Sequence, residues 1–311
     1  LLVDLPVLFK LSDLKQSASL DLLARQLVEG FITGLHKSPY HGFSVEFSEH
    51  RLYNEGESTR HIDWKVYSRT DKLFTKRYAE ETNLRCLLIV DKSPSMYYPA
   101  QSKGKITFST YAAAALAYLI QHQRDAVGLC TFSNEIESLS QIRSTPSHLE
   151  KLFIDMEKLL KEDRTKGDSN SSTKLSEVLH EIAEKIHKRS LVVIFSDFFD
   201  ADETTQELFK ALQHLRHKKH EVIVFHVTDK ATEYNFDFGS KPVEFIDLES
   251  GSRIKVNTED VKEAYVKTAE VFYQALKQQC QQFKIDFIEA DISTGFQHVL
   301  QTYLIKRAKM R

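Results

Sequence analysis

The sequence predicts an α/β protein built on a doubly wound, mainly parallel sheet, and three observations carry that reading. Two short runs, Leu87-Leu88-Ile89-Val90 and Leu191-Val192-Val193-Ile194-Phe195, are continuously apolar, as strands buried on both faces are. Long stretches of helical periodicity separate these runs, which is the strand–helix–strand rhythm of parallel sheets. Both runs end abruptly on polar residues, Asp91 and Ser196-Asp197, at the carboxyl ends where open α/β sheets place their ligand sites.

Taken in order, Leu14 to Ile32 has apolar residues at helical spacing and stops near Gly34. Three alternating segments follow, Phe43 to Tyr53, Ile62 to Tyr67 and Leu73 to Tyr78, with Arg69-Thr70-Asp71-Lys72 read as a hairpin turn. Residues 1–84 are therefore expected to form a helix and a small antiparallel β module. Residues 85–311 are expected to form the α/β domain. Its strands are Cys86–Asp91, Ala126–Phe132, Leu191–Ser196, Glu221–Val227 and Ile285–Ala290, with Ile136–Ser140 as a short edge partner. Its helices are Ile106–Gln121, His148–Leu160, Leu175–His187, Thr205–Arg216, Thr258–Phe283 and Phe296–Lys309. The polar stretch Glu162 to Thr173 reads as a surface loop. Val243 to Val256 reads as an inserted β-hairpin that pairs with the early strands.

Bulk composition narrows the function classes. The 311 residues carry 42 Lys plus Arg against 44 Asp plus Glu, so charge balance gives no argument for nucleic acid or an anionic membrane. Cys86, Cys130 and Cys280 are far apart and lack a CxxC spacing, which argues against disulfides or zinc and fits a reducing compartment. No apolar stretch approaches the roughly 18 residues of a membrane span. The start Leu-Leu-Val-Asp-Leu-Pro has an acid and no basic leader, so a cytoplasmic, soluble protein is expected.

The chemistry concentrates at strand ends. Asp91, Ser93 and Ser95 fall at alternate positions in one tight loop and can converge on a point. Asp197 ends a second parallel strand and points the same way. Thr173, in the Ser171-Ser172-Thr173 stretch, begins a helix and can face the same crevice. Two carboxylates with hydroxyls and water suit a hard divalent cation, Mg2+ or Mn2+. The competing readings are ordinary ones: a chance DxSxS, and Thr173 serving only as a cap.

This pattern, DxSxS after one strand, a threonine on a middle loop and SD after a later strand, resembles the von Willebrand factor type A fold with its metal-ion-dependent adhesion site. The resemblance matches Asp91, Ser93 and Ser95 to the first motif, Thr173 to the second and Asp197 to the third. Pro94 stands where glycine is common, which stiffens the loop without removing a ligand. In that family a partner's carboxylate often completes the metal's coordination.

The early segments narrow the likeness. The stretch from Arg51 to Lys65 (RLYNEGESTRHIDWK), Arg69-Thr70, Ala79-Glu80-Glu81-Thr82, His36 to Phe47 and Lys219 to Val222 are similar to the bacterial family named domain of unknown function 58. Glu57 replaces the aspartate usual there and keeps the charge. This resemblance implies an adhesion-type A domain with a small β module. It also implies association with a MoxR-type AAA+ ATPase or its client.

Other candidates are weaker. Arg60, Asp63 and Trp64 read either as a docking patch or, by preference, as an ion pair that ties down a turn beside a packing tryptophan. Gly104-Lys105 lacks the upstream glycine and the spacing of a phosphate loop. His214, His217 and His220 read as a basic helix terminus before a zinc site, and Asp200 as a helix cap. The leading expectation is a non-enzymatic, metal-dependent protein-binding module. The rivals are a metal-dependent hydrolase of phosphate esters, for which the three loops offer no histidine base, and a scaffold with an empty site.

Overall fold

A computed structural model describes residues 19–36, 50–52, 64–76, 84–99, 102, 104–133, 135–162, 175–198, 205–239, 242–246, 252–294 and 297–309. Cα packing divides the chain into two compact units, Thr33–Asn83 and Leu1–Ile32 together with Leu84–Arg311.

The first helix, α1 (Leu20–His36), buries Leu20, Leu23, Ala24, Leu27, Val28 and Phe31, the stripe that helical spacing dictates. Within Thr33–Asn83, β1 (His50–Leu52) pairs antiparallel with β2 (Phe74–Lys76), His50 opposite Lys76. Between them lies a difference from expectation. The alternating stretch Ile62 to Tyr67 is not a strand; Trp64–Thr70 is a helix, α2. Thr70 Oγ1 donates to the Val66 carbonyl at 2.8 Å, and Asp71 adopts a left-handed φ of 54°, so the link read as a hairpin turn is a helix end. Over so few residues an alternating pattern cannot be told from a helical one by periodicity. The Arg60 and Asp63 positions, and the Trp64 side chain, lie outside the described residues.

The larger unit follows the predicted rhythm closely. In order it contains β3 (Arg85–Asp91), α3 (Gly104–His122), β4 (Ala126–Phe132), β5 (Ile136–Leu139), α4 (Pro146–Lys161), α5 (Leu175–Lys185), β6 (Leu191–Ser196), α6 (Thr205–His217) and β7 (Glu221–Thr228). Then come β8 (Val243–Ile246), β9 (Arg253–Val256), α7 (Thr258–Gln282), β10 (Asp286–Asp291) and α8 (Gln297–Lys309). Six strands form one sheet in the order β10-β7-β6-β3-β4-β5, parallel except for the edge strand β5. This is a mixed α/β architecture with a mostly parallel central sheet. The hairpin β8–β9 forms its own two-stranded antiparallel sheet, and so does β1–β2.

Alternate residues of the central strands supply the two cores. Leu87, Ile89, Val192, Ile194, Val222 and Val224 pack with the apolar faces of α5 and α6 and with Leu276 and Cys280 of α7. On the other side α3 meets β3, β4 and β7 and is flanked by α4 and α8. Helices on both faces explain why these strands are apolar throughout rather than alternating. Chain order reverses between β3 and β6, since β3 leads to β4 on one side while β6 lies on the other. Asp91 and Ser196-Asp197 end these two strands.

Cys86, Cys130 and Cys280 are free and buried in this core. Burial pushes the thiols of Cys130 and Cys280 up to about 12, and that of Cys86 higher still. A thiol-reactive chromophore is therefore expected to label none of them in the native protein and all of them in denaturant. Rapid labelling without denaturant would show that the core opens locally.

Candidate metal centre

The site begins with the end of β3. Parallel register aligns Val90 with Phe195, which brings Asp91 level with Ser196 on the neighbouring strand. Ser196 Oγ donates to Asp91 Oδ2 at 2.6 Å across the switch point. The same Oγ accepts the Phe198 N–H at 2.9 Å, which supports the left-handed backbone of Phe198 (φ 54°) just after Asp197. A bulky residue there costs about 1–3 kcal/mol, so the turn is held by this bond and by burial of the Phe198 ring.

The loop after Asp91 is fixed just as tightly. Ser93 N–H donates to Asp91 Oδ1 at 2.8 Å, and Pro94 opens a short 3-10 turn through Tyr97. Met96 and Tyr97 anchor that turn in the core. Lys92, itself buried, pairs at 2.7 Å with both Glu137 of β5 and Glu162 just past α4. The outcome is that Ser93 Oγ and Ser95 Oγ lie 3.0 Å apart beside Asp91. Two ligands at adjacent corners of a Mg2+ octahedron, with bonds of about 2.0–2.1 Å, are separated by about 3 Å. Asp91, Ser93, Ser95 and Asp197 are all buried where β3 and β6 end; Ser93 bonds both Asp91 and Ser95, and Asp197 neighbours Asp91. Thr173 lies outside the described residues.

Burial, and then the neighbouring Asp197 charge, raise the Asp91 carboxyl to about 7, against the opposing bonds from Ser196 and Ser93. A carboxyl in that condition gains from a nearby cation. Among the described residues no group of three or more His, Cys, Asp or Glu side chains is arranged to hold a metal. The donor set is two carboxylates and two hydroxyls, which suits a hard oxygen-seeking ion and not zinc.

Three residues of the centre were not legible in the sequence. Lys105, weighed there only as part of a poor phosphate loop, is buried in the first turn of α3. Its Nζ donates to Asp197 Oδ2 at 2.8 Å and also pairs with Glu233 Oε1. Glu233 lies on a π-helical turn, Lys230–Tyr234, directly after β7. Glu233 N–H donates to the Asp229 carbonyl, and Asp229 N–H donates back to Glu233 Oε2, each at 2.8 Å, a reciprocal arrangement like a capping box. The spacing Asp229…Glu233 is a visible cap signal, but it does not say where the second carboxylate oxygen points. Ser196 is the third, recorded in the sequence only as the residue before Asp197.

A histidine also reaches the centre, from β7 and not from the loops. His226 Nε2–H donates to the Asp197 carbonyl at 3.0 Å, and burial lowers its pKa to about 4, so it serves as a neutral strut. His214, His217 and His220 do not converge. His214 Nδ1 meets His180 Nδ1 at 2.8 Å and its Nε2 meets Glu184, His217 is exposed, and buried His220 accepts the Ser190 N–H. Zinc binding by His214, His217 and His220 is thus not supported. Asp200 lies outside the described residues.

Comparison with known proteins gives a family. Over 101 residues the chain is 31% identical to uncharacterized protein Rv1480 of Mycobacterium tuberculosis and to uncharacterized protein Mb1516 of Mycobacterium bovis. The aligned segment spans 32% of this chain and 32% of each relative. Similar solved structures include the conserved hypothetical protein BatB from Bacteroides thetaiotaomicron, at 15% identity and a TM-score of 0.45, covering 73% of this chain and 99% of that one. An aerotolerance-related membrane protein from Bacteroides fragilis follows at 12% identity and a TM-score of 0.44, covering 72% and 99%. No helix among the described residues is long and apolar enough to cross a membrane. Residues 49–273 match the family described as protein of unknown function DUF58, and the chain belongs to that family.

Proposed function

We propose that this protein is a divalent-cation-dependent protein-binding module, with Mg2+ or Mn2+ held by Asp91, Ser93, Ser95, Thr173 and Asp197. One observation carries the reading: two serine hydroxyls 3.0 Å apart beside a carboxylate that burial and Asp197 drive toward neutrality. A divalent cation beside these oxygens would favour the ionised form of Asp91. Asp91 and the hydroxyls supply few charges, so an acidic side chain of a partner is a natural further ligand. This fits the von Willebrand factor type A likeness of the motif.

The module reading is favoured over catalysis because the nearest histidine is committed to a backbone carbonyl and held neutral. In this reading the partner is a MoxR-type AAA+ ATPase or its client, and the role is assembly or maturation of a protein complex. The test is capture of such an ATPase from the same source by immobilised protein, in Mg2+ and in EDTA. Retention in Mg2+ and release in EDTA are expected. Equal retention in both buffers counts against a metal bridge.

A further inference from the structure

Lys105 gives the centre a cation of its own. Its ammonium, 1% exposed, lies between Asp197 Oδ2 and Glu233 Oε1, with the Tyr98 ring centroid 5.7 Å away. Carboxylates on two sides pair this ammonium within the pocket. Asp197 and Glu233 face this single positive group.

We infer that Lys105 is a resident competitor for the divalent ion at Asp197, and that Glu233 is the acceptor that keeps the ammonium paired when Asp197 turns to a metal. The inference rests on the metal-binding reading above and adds what sets its affinity. Asp197 Oδ2 is already occupied, so Asp197 can serve a metal fully only by weakening its bond to Lys105. An ammonium stripped of its partner in a buried site is costly. Glu233, locked by the Asp229 N–H, offers a second place for that charge without moving the lysine out of the pocket. The two side chains therefore act in opposite directions. Lys105 lowers divalent affinity, and Glu233 relieves part of that effect.

The test measures Mn2+ affinity by electron paramagnetic resonance and Mg2+ affinity by calorimetry, on the full chain. Four proteins are compared: wild type, Glu233→Gln, the double variant Lys105→Met/Glu233→Gln, and Asp91→Asn. The double variant removes one charge of each sign and nearly conserves volume, so it is expected to fold. Its Mn2+ affinity is expected to rise by about tenfold, the weight of one close unit charge, while Glu233→Gln is expected to weaken binding by several-fold, about threefold or more. Unchanged or weaker binding in the double variant overturns the inference, as does unchanged or tighter binding in Glu233→Gln. If the double variant fails to fold, Glu233→Gln decides alone. Asp91-dependent binding in wild type with neither shift sinks the role of Lys105 and leaves the metal site standing. Absence of binding in every protein sinks both.

Discussion

Asp91→Asn is expected to abolish measurable Mg2+ binding while leaving the fold intact, a loss of at least about 100-fold. Outer-sphere residues at metal sites already cost about 10–100-fold when replaced, and Asp91 is the carboxylate around which the whole loop is organised. Asparagine keeps the shape and one of the two bonds: its Oδ1 can accept the Ser93 N–H, while its Nδ2 replaces the oxygen to which the Ser196 hydroxyl donates. Asp91→Ala also removes the charge, but it orphans the Ser93 N–H and the Ser196 hydroxyl in the core. Calorimetry with unchanged Mg2+ affinity in either variant would remove Asp91 from the site.

The same substitution has a signature in metal-free stability. The Asp91 carboxyl is raised to about 7 by burial and by Asp197, so the folded state holds a proton that the unfolded state releases near pH 4. Between about pH 4 and pH 7 the folded form binds more protons, so in EDTA this group lowers wild-type stability as pH rises through that window. Asp91→Asn lacks this contribution. Denaturant melts in EDTA at pH 5 and pH 8 should show the variant gaining on wild type at the higher pH, and equal differences at both would contradict the assignment.

Lys105→Met alone is expected to destabilise the protein by about 3–5 kcal/mol, the second large effect. It leaves Asp197 buried and facing Glu233 with no cation between them, and breaking a buried pair costs far more than the pair contributes over an apolar replacement. Adding Glu233→Gln should recover part of that loss, since Asp197 then no longer faces a second carboxylate. Chemical denaturation of the two variants in EDTA checks this. A Lys105→Met protein as stable as wild type would mean that the ammonium is not paired as described.

How much of this was legible varies element by element. The runs at Leu87–Val90 and Leu191–Phe195 announce buried strands because helices on both faces demand apolar residues at every position. The described boundaries of β3, β4 and β6 follow those runs closely. Where a segment is short and half exposed, the pattern misleads. Ile62 to Tyr67 alternates like a strand, yet Trp64–Thr70 is helical, because seven residues do not distinguish a period of two from one of 3.6. The hairpin at Val243–Val256 is legible because two short strands flank a polar turn signal.

The candidate site divides in the same way. The sequence by itself determined that Asp91, Ser93 and Ser95 share one loop and that Asp197 ends another strand, because a buried apolar run can stop on a carboxylate only where the chain leaves the core. Tertiary structure decided that β6 lies beside β3, so that Ser196 clasps Asp91 across 105 residues of chain. It alone placed Lys105 on Asp197, 92 residues away, and Glu233 on Lys105, 128 residues away. Strand order and helix packing create those encounters, and no local spacing encodes them. Periodicity reports which face of an element is buried; the partner across the interface, and with it the charge balance of the centre, exists only once the chain is folded.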